Sequence, residues 1–115
     1  MRGNIIVLIF IAFLLMLETP PIHAEDLSPN LTEKYTLKIS SKFSNTYCNS
    51  IKFGISKDSA MNFSIGETNK EFLNNKLNKF IDYELLNNNI ILSLQNNCQV
   101  FDFPKDELKN LKFKY

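Results

Sequence analysis

The chain has 115 residues, with 13 basic and 12 acidic side chains and a formal net charge of +1 at pH 7. This length indicates one small domain. The near-neutral balance argues against nucleic acid as a partner, because phosphate recognition needs clustered positive charge, and against a cationic membrane-disrupting peptide.

The first residues have the order of a secretory signal peptide. Arg2 supplies a positive charge, and residues 5–17 form a run without a polar side chain. Ala24 then places a small residue directly before the acidic Glu25, which predicts cleavage between these two residues. Ile22, three residues before the cut, is larger than a signal peptidase prefers.

An uncleaved membrane anchor is the alternative. A spanning helix needs about 20 apolar residues, whereas the thirteen residues of this run would cover about 20 Å of a hydrocarbon core about 30 Å thick. Cleavage is therefore preferred, with no membrane contact afterwards. The predicted organisation is a signal peptide at 1–24, a flexible lead-in at 25–30 and a small helical domain at 31–115.

Cys48 and Cys98 are the two cysteines of the chain. In an exported protein one intramolecular disulfide is the default expectation, and two free buried thiols or an intermolecular bond are the alternatives. Closing a loop of this length stabilises a fold by about 4 kcal/mol in the chain-entropy model, which matters for so small a core.

Periodicity and capping residues predict helices from residue 31 onward. Apolar residues recur every four positions from Tyr35 to Ile51 and predict a first helix that ends near Gly54. Ser56 predicts the N-cap of a second helix, ending at Gly66. Thr68 to Glu71 has the form of a capping box and predicts a third helix. The predicted inward-facing residues of the second and third helices are Ala60, Met61, Phe63, Ile65, Phe72, Leu73, Leu77, Phe80 and Ile81.

Segment 83–103 fits two structures. As a helix capped by Asp82, it places Leu86, Ile90, Leu94 and the pair Asn97/Cys98 on one side. As strands, 90–94 and 99–103 flank a polar hairpin connection. The helical interpretation continues the preceding elements and its spacing reaches Cys98. The predicted fold is therefore all-α, and the alternative is an α+β fold with a hairpin around residues 90–103.

The C-terminal segment predicts one more helix, which starts at Pro104 with Asp106 and Glu107 in its first turn. Asp102 is the predicted cap of this helix. The aromatic side chains are assigned mostly to the core, and Phe113 and Tyr115 are the exception, as candidates for an exposed docking tail.

The residues needed for common catalytic sites are missing. His23, the single histidine, lies in the predicted leader, so the domain lacks an imidazole for zinc or for a catalytic triad. Gly54 and Gly66 are the only glycines after Gly3, too few for a phosphate-binding loop. We therefore expect no cofactor, no metal site and no catalytic residue.

Paired carboxylates leave one enzymatic possibility, because general acid and base catalysis can use two carboxyl groups in different environments. Asp102, between two phenylalanines, is the strongest candidate, although solvated helix caps explain such residues better. The pairs in the sequence are Asp82 with Glu84, Asp102 with Asp106 and Glu107, and Glu67 with Glu71.

A resemblance adds to this interpretation. The segments Tyr47-Cys48-Asn49-Ser50-Ile51, Gly54-Ile55-Ser56 and Ile65-Gly66-Glu67, together with Ser59-Ala60 and Phe63, resemble small signal-bearing proteins of unknown function from marine picocyanobacteria. The resemblance covers roughly residues 35–103. It implies an exported helical domain with a Cys48–Cys98 bridge in the periplasm or thylakoid lumen, and it implies no activity.

The predicted function is a non-enzymatic protein-interaction module whose partner and oligomeric state the sequence leaves open. Two alternatives remain, a membrane-tethered small subunit that keeps its N-terminal anchor and a small carboxylate-based enzyme.

Overall fold

The computed structural model describes residues 29–113, which form three α-helices and two 3₁₀ helices. The α-helices are α1 (Pro29–Lys52), α2 (Lys57–Glu71) and α3 (Tyr83–Cys98), and the 3₁₀ helices are Lys76–Phe80 and Lys105–Asn110. None of these residues lies in a β-strand. The all-α prediction is confirmed, and the hairpin alternative around 90–103 is wrong because most of that segment belongs to α3.

The boundary at the start of the helical domain needs a correction. α1 begins at Pro29, so the last two residues of the predicted lead-in at 25–30 are helical. The predicted leader and the cleavage site between Ala24 and Glu25 lie outside the described residues, as does Tyr115.

α1 is the central element, and both α2 and α3 pack against it. The predicted apolar stripe of α1 is buried, with Tyr35, Ile39, Phe43 and Tyr47 all in the core. α3 contributes large apolar side chains at the predicted spacing, Leu86, Ile90 and Leu94. The i, i+4 spacing in both helices places these residues on facing stripes, which explains why both predictions hold.

The disulfide between Cys48 and Cys98 joins α1 to the last residue of α3, with a Cα–Cα distance of 5.6 Å. Neither cysteine is free. The prediction of one intramolecular bridge is confirmed.

α2 is longer than predicted. Ser56 is its N-cap, as expected, and accepts a hydrogen bond from the amide of Ser59 at 3.3 Å. The helix does not stop at Gly66 but continues to Glu71, and Thr68 is a buried helical residue instead of the predicted N-cap. A glycine within a helix costs about 1 kcal/mol relative to alanine, which the packing of α2 on α1 outweighs.

The predicted third helix does not form. After α2 the chain turns through Asn74 in the left-handed conformation (φ 63°), and Asn75 is extended and caps the first 3₁₀ helix. This geometry interrupts the hydrogen bonding that an α-helix needs. Of the predicted inward residues, Phe72 is buried and Leu77 and Ile81 are half-buried, whereas Leu73 and Phe80 are exposed.

A buried amide fixes this connection to α1. The Tyr35 hydroxyl donates to Asn78 Oδ1 at 2.6 Å, and Asn78 Nδ2 donates to the carbonyl of Phe72 at 2.8 Å. Because buried polar groups are stable only when they are hydrogen-bonded, this chain of contacts specifies one position for the connection.

The C-terminal segment folds back onto the helices. Leu108, Leu111 and Phe113 are buried, so the prediction that Phe113 belongs to an exposed docking tail is wrong. The residue before the second 3₁₀ helix is Pro104, and that helix has no side-chain cap, so Asp102 is not its cap as predicted.

Candidate interaction surface

Three of the carboxylates that suggested acid–base chemistry contact helix amides or lysines in the structure. Asp82 Oδ1 accepts hydrogen bonds from the amides of Glu84 and Leu85, which makes it the N-cap of α3. Asp102 is exposed and lies 3.4 Å from Lys57 Nζ. Glu71 lies 3.6 Å from Lys42 Nζ. Their partners in the structure are thus helix amides and lysines.

Two further features are absent from residues 29–113. These residues contain no cluster of three or more His, Cys, Asp or Glu side chains that could hold a metal ion. No helix in the same range has the length and apolar character needed to cross a membrane.

The most distinctive surface is a groove of about 310 Å³ between the second half of α1 and α2. Three large apolar side chains line it although they are solvent-exposed: Phe53 is 83% exposed, Phe63 is 51% exposed and Ile55 is 42% exposed. We call this surface the apolar groove. Its remaining lining residues are polar or charged, namely Lys42, Thr46, Asn49, Ser50 and Glu67.

The spacing of residues on α1 explains one wall of the apolar groove. Lys42, Thr46 and Asn49 follow each other at intervals of three or four residues and therefore share a face of the helix. Phe53 follows the last residue of α1, and its amide donates to the carbonyl of Asn49 at 3.0 Å. Phe63 and Glu67 are four residues apart on α2 and form the opposite wall.

The turn between the two helices holds Phe53 and Ile55 at the surface. Gly54 has a φ of +86°, the left-handed conformation that ends many helices and that glycine adopts without strain. Its amide donates to the carbonyl of Ile51 at 2.9 Å, and the amide of Ile55 donates to the carbonyl of Ser50 at 3.0 Å. These bonds satisfy the last carbonyls of α1 and fix the path of the chain.

Phe63 lies at the surface, contrary to the sequence prediction. It was expected inside, but the buried positions of α2 are Ala60, Met61, Ser64, Ile65 and Thr68, and Phe63 lies outside that face. The signal that could have shown this is the i, i+4, i+8 series of Ala60, Ser64 and Thr68, whose small side chains allow close packing on α1.

Two ion pairs involve residues of the helices that form the apolar groove. Lys42, on its α1 wall, pairs with Glu71, and Lys57 at the start of α2 pairs with Asp102. On the buried side of α1, burial raises the pKa of the Tyr47 hydroxyl, and the nearby carboxylates of Asp102 and Asp58 raise it further. Tyr47 therefore stays neutral at physiological pH. The apolar groove offers apolar contact area with one lysine and one glutamate in its lining.

A second groove, between α1 and α3, provides an internal comparison. It measures about 250 Å³, and six of its eight lining residues are serine or asparagine; the other two are Leu37 and Leu92. Both leucines are exposed, but the lining lacks an aromatic side chain. We call this surface the polar groove.

No known protein family, no curated protein and no solved structure matches this chain.

Proposed function

We propose that the protein is an exported, non-enzymatic helical module that binds another protein through the apolar groove. The observation that carries the proposal is the convergence of three exposed large apolar side chains, Phe53, Ile55 and Phe63, on one groove. Such a patch is unfavourable in water unless a partner covers it.

Phe53 and Phe63 supply most of the exposed apolar area of the groove. A phenylalanine presents roughly 150–250 Å² when fully exposed. The exposed fractions of Phe53 and Phe63 therefore leave about 200–330 Å² of aromatic surface in contact with water. Aromatic side chains are common at the energetic centre of protein interfaces, where a polar rim surrounds them. In the apolar groove, Lys42 and Glu67 provide polar groups beside the phenylalanines.

The shape supports a helix as the bound element. The two walls of the groove come from consecutive helices of one helical pair, and an amphipathic helix inserts its apolar residues into such grooves. Main-chain pairing with an extended strand is not supported, because α1 and α2 already use their backbone groups within the helices.

Export is part of the proposal. The disulfide between Cys48 and Cys98 is consistent with an oxidising compartment. The apolar run at residues 5–17 and the small residue Ala24 support a cleaved leader. On the sequence resemblance, the compartment is the periplasm or thylakoid lumen of a marine picocyanobacterium.

Binding is tested by affinity capture with matched variants from cells that produce the protein. Wild type and the polar-groove variant Leu37→Ser/Leu92→Ser should recover the same cross-linked protein, identified by mass spectrometry. The apolar-groove variant Phe53→Ser/Phe63→Ser should lose it. All four substituted side chains are about half exposed or more, so the unfolding free energy should change little and the variants should fold alike. A recurrent partner that survives Phe53→Ser/Phe63→Ser, or the absence of any recurrent partner, contradicts the proposal.

Export is tested by intact mass with and without reductant. The native protein should begin at Glu25 and gain two hydrogens on reduction. A native mass that includes residues 1–24 would contradict cleavage and favour a tethered subunit.

A further inference from the structure

A further cavity, distinct from both grooves, lies where the C-terminal segment crosses the first turns of α3. It measures about 460 Å³, within the range of about 300–1,000 Å³ found for small-molecule sites. Tyr83, Asn87, Lys109, Lys112 and Phe113 line it, and it is backed by Leu108 and Leu111. We call it the tail pocket.

The tail pocket has a fixed wall. Asn69 of α2 donates through Nδ2 to the carbonyl of Asn110 at 3.1 Å, and its Oδ1 accepts from the amide of Lys112 at 3.0 Å. Phe113 packs edge-on against the buried Phe72, with ring centroids 6.2 Å apart. Because both backbone and ring are held, the pocket exists before any ligand binds.

One side of the pocket is aromatic. The rings of Tyr83 and Phe113 are nearly parallel, with centroids 6.3 Å apart and planes inclined by 11°. The two rings are stacked on each other beside the buried leucines, and Tyr83, which is 38% exposed, provides most of the accessible aromatic surface. A molecule with a planar ring gains contact area here without ordering flexible side chains.

The charged side chains that line the tail pocket are all positive. Lys109 and Lys112 are the only charged residues that line it, and neither forms an ion pair with another described residue. Unpaired ammonium groups at the mouth of an apolar cavity favour an anionic group on the bound molecule.

Asn87 adds a polar group that lacks a partner. Its Oδ1 is shielded from solvent and accepts no hydrogen bond in the described part of the chain. A shielded amide oxygen without a donor is unfavourable, and the terminal torsion of asparagine rotates readily. A ligand with an N–H or O–H group next to its ring can therefore satisfy this oxygen after a rotation of the amide.

We propose that the tail pocket binds a small aromatic anion, whose ring lies against Tyr83 and Phe113 and whose anionic group lies near Lys109 and Lys112. A hydroxyl or amino substituent on the ring donates to Asn87. This site is separate from the apolar groove and does not depend on protein binding there.

The test is a nuclear magnetic resonance titration of the isotope-labelled exported domain with para-hydroxybenzoate, benzoate and phenyl phosphate. Saturable shifts are expected at residues 83–87 and 108–113, and a comparison of phenyl phosphate with benzoate, which both lack the hydroxyl, identifies the preferred anionic group. The neutral analogue para-hydroxybenzyl alcohol should bind at least about tenfold more weakly than para-hydroxybenzoate, since it lacks the charge.

Variants separate the roles of charge and hydrogen bonding. Lys109→Gln/Lys112→Gln should weaken binding of the anions by about tenfold or more, whereas the control Lys70→Gln/Lys76→Gln, at two other exposed lysines, should not change it. Asn87→Ala should remove the preference for para-hydroxybenzoate over benzoate. Shifts that do not saturate, or equal weakening by both lysine pairs, would overturn the proposal.

Discussion

α2 and α3 both pack on α1 and both bury large apolar residues, Met61 and Ile65 in the case of α2, but their fully buried residues differ in kind. The fully buried residues of α3 are Leu86, Ile90 and Leu94, all large and apolar. The fully buried residues of α2 are Ala60, Ser64 and Thr68, all small and two of them polar. The disulfide covalently links α1 to α3, whereas α2 is held on α1 by packing and by the partly exposed ion pair between Lys42 and Glu71.

The difference shows two ways to stabilise a helix pair. Large apolar residues remove much apolar surface from water, and each Å² of this surface stabilises the folded state by about 25 cal/mol. Small residues remove less area but let the backbones approach, and their hydroxyls can be satisfied within the helix. Ser64 Oγ donates to the carbonyl of Ala60 at 2.6 Å, so its burial costs little. The following predictions test this contrast, from the largest expected effect to the smallest.

Removal of the disulfide should have the largest effect. The sequence separation of the two cysteines is 50 residues, so Cys48→Ala/Cys98→Ala should lower the free energy of unfolding by about 4 kcal/mol. Urea unfolding of the variant and the oxidised wild type measures the difference. Reduced wild type is the control and should resemble the variant. Equal midpoints for oxidised and reduced protein would show that the bond does not stabilise the pairing of α1 and α3.

Core substitutions should show that the contact between α1 and α3 differs from the contact between α1 and α2. Ile90→Ala in α3 should cost about 2–5 kcal/mol because it leaves a cavity, whereas Ser64→Ala in α2 should cost less than about 1 kcal/mol. Ser64→Leu should cost about 1–3 kcal/mol because the close contact cannot accept the added volume. Thermal unfolding measures all three variants. If Ser64→Leu is as stable as wild type, α2 does not pack closely on α1.

The buried hydroxyl of Tyr35 predicts a pH dependence. Burial raises its pKa to about 12, and Tyr83 contributes to the shift. Since the folded-state pKa lies above the unfolded value of about 10, the stabilisation is complete below pH 10 and is lost as pH rises toward 12. The expected loss is about 2–3 kcal/mol.

Chemical unfolding at a series of alkaline pH values checks this expectation. Tyr35→Phe should cost about 1 kcal/mol at neutral pH, through loss of the hydrogen bond to Asn78, and should show a shallower decline above pH 10. Parallel declines in wild type and Tyr35→Phe would contradict the assignment to Tyr35.

The last prediction is a small gain in stability. Thr68 Oγ1 is buried and has no hydrogen-bond partner within residues 29–113. Thr68→Val keeps the shape and removes the unsatisfied hydroxyl, so the free energy of unfolding should rise by about 1 kcal/mol. A loss of stability in urea unfolding would indicate that Thr68 has a hydrogen-bond partner after all.

The same contrast explains what the sequence could predict. α1, α3 and the caps Ser56 and Asp82 follow from large apolar periodicity and short-range capping chemistry, and the disulfide follows from the presence of two cysteines in a chain predicted to be exported. The extent of α2 could not be predicted in this way. Ala60, Ser64 and Thr68 do not form a recognisable hydrophobic repeat, and Gly66 resembles a helix end. Tertiary packing overrides both local signals.

The surfaces were harder to predict than the core. Phe63 was placed inside because phenylalanine is usually buried, yet its neighbours on α2 decide which face packs. The tail pocket depends on where the chain folds back after α3. Asn69 fixes that path from more than forty residues away in sequence, a contact that no local pattern reveals.

The central claim, that the apolar groove is the contact surface for another protein, is tested most directly by placing a photo-crosslinking amino acid at single positions. Incorporated at Phe63 in the apolar groove, it should capture one protein reproducibly in the native cells, and incorporated at Leu92 in the polar groove it should not capture that protein. Equal capture from both positions, or none from Phe63, would contradict the claim.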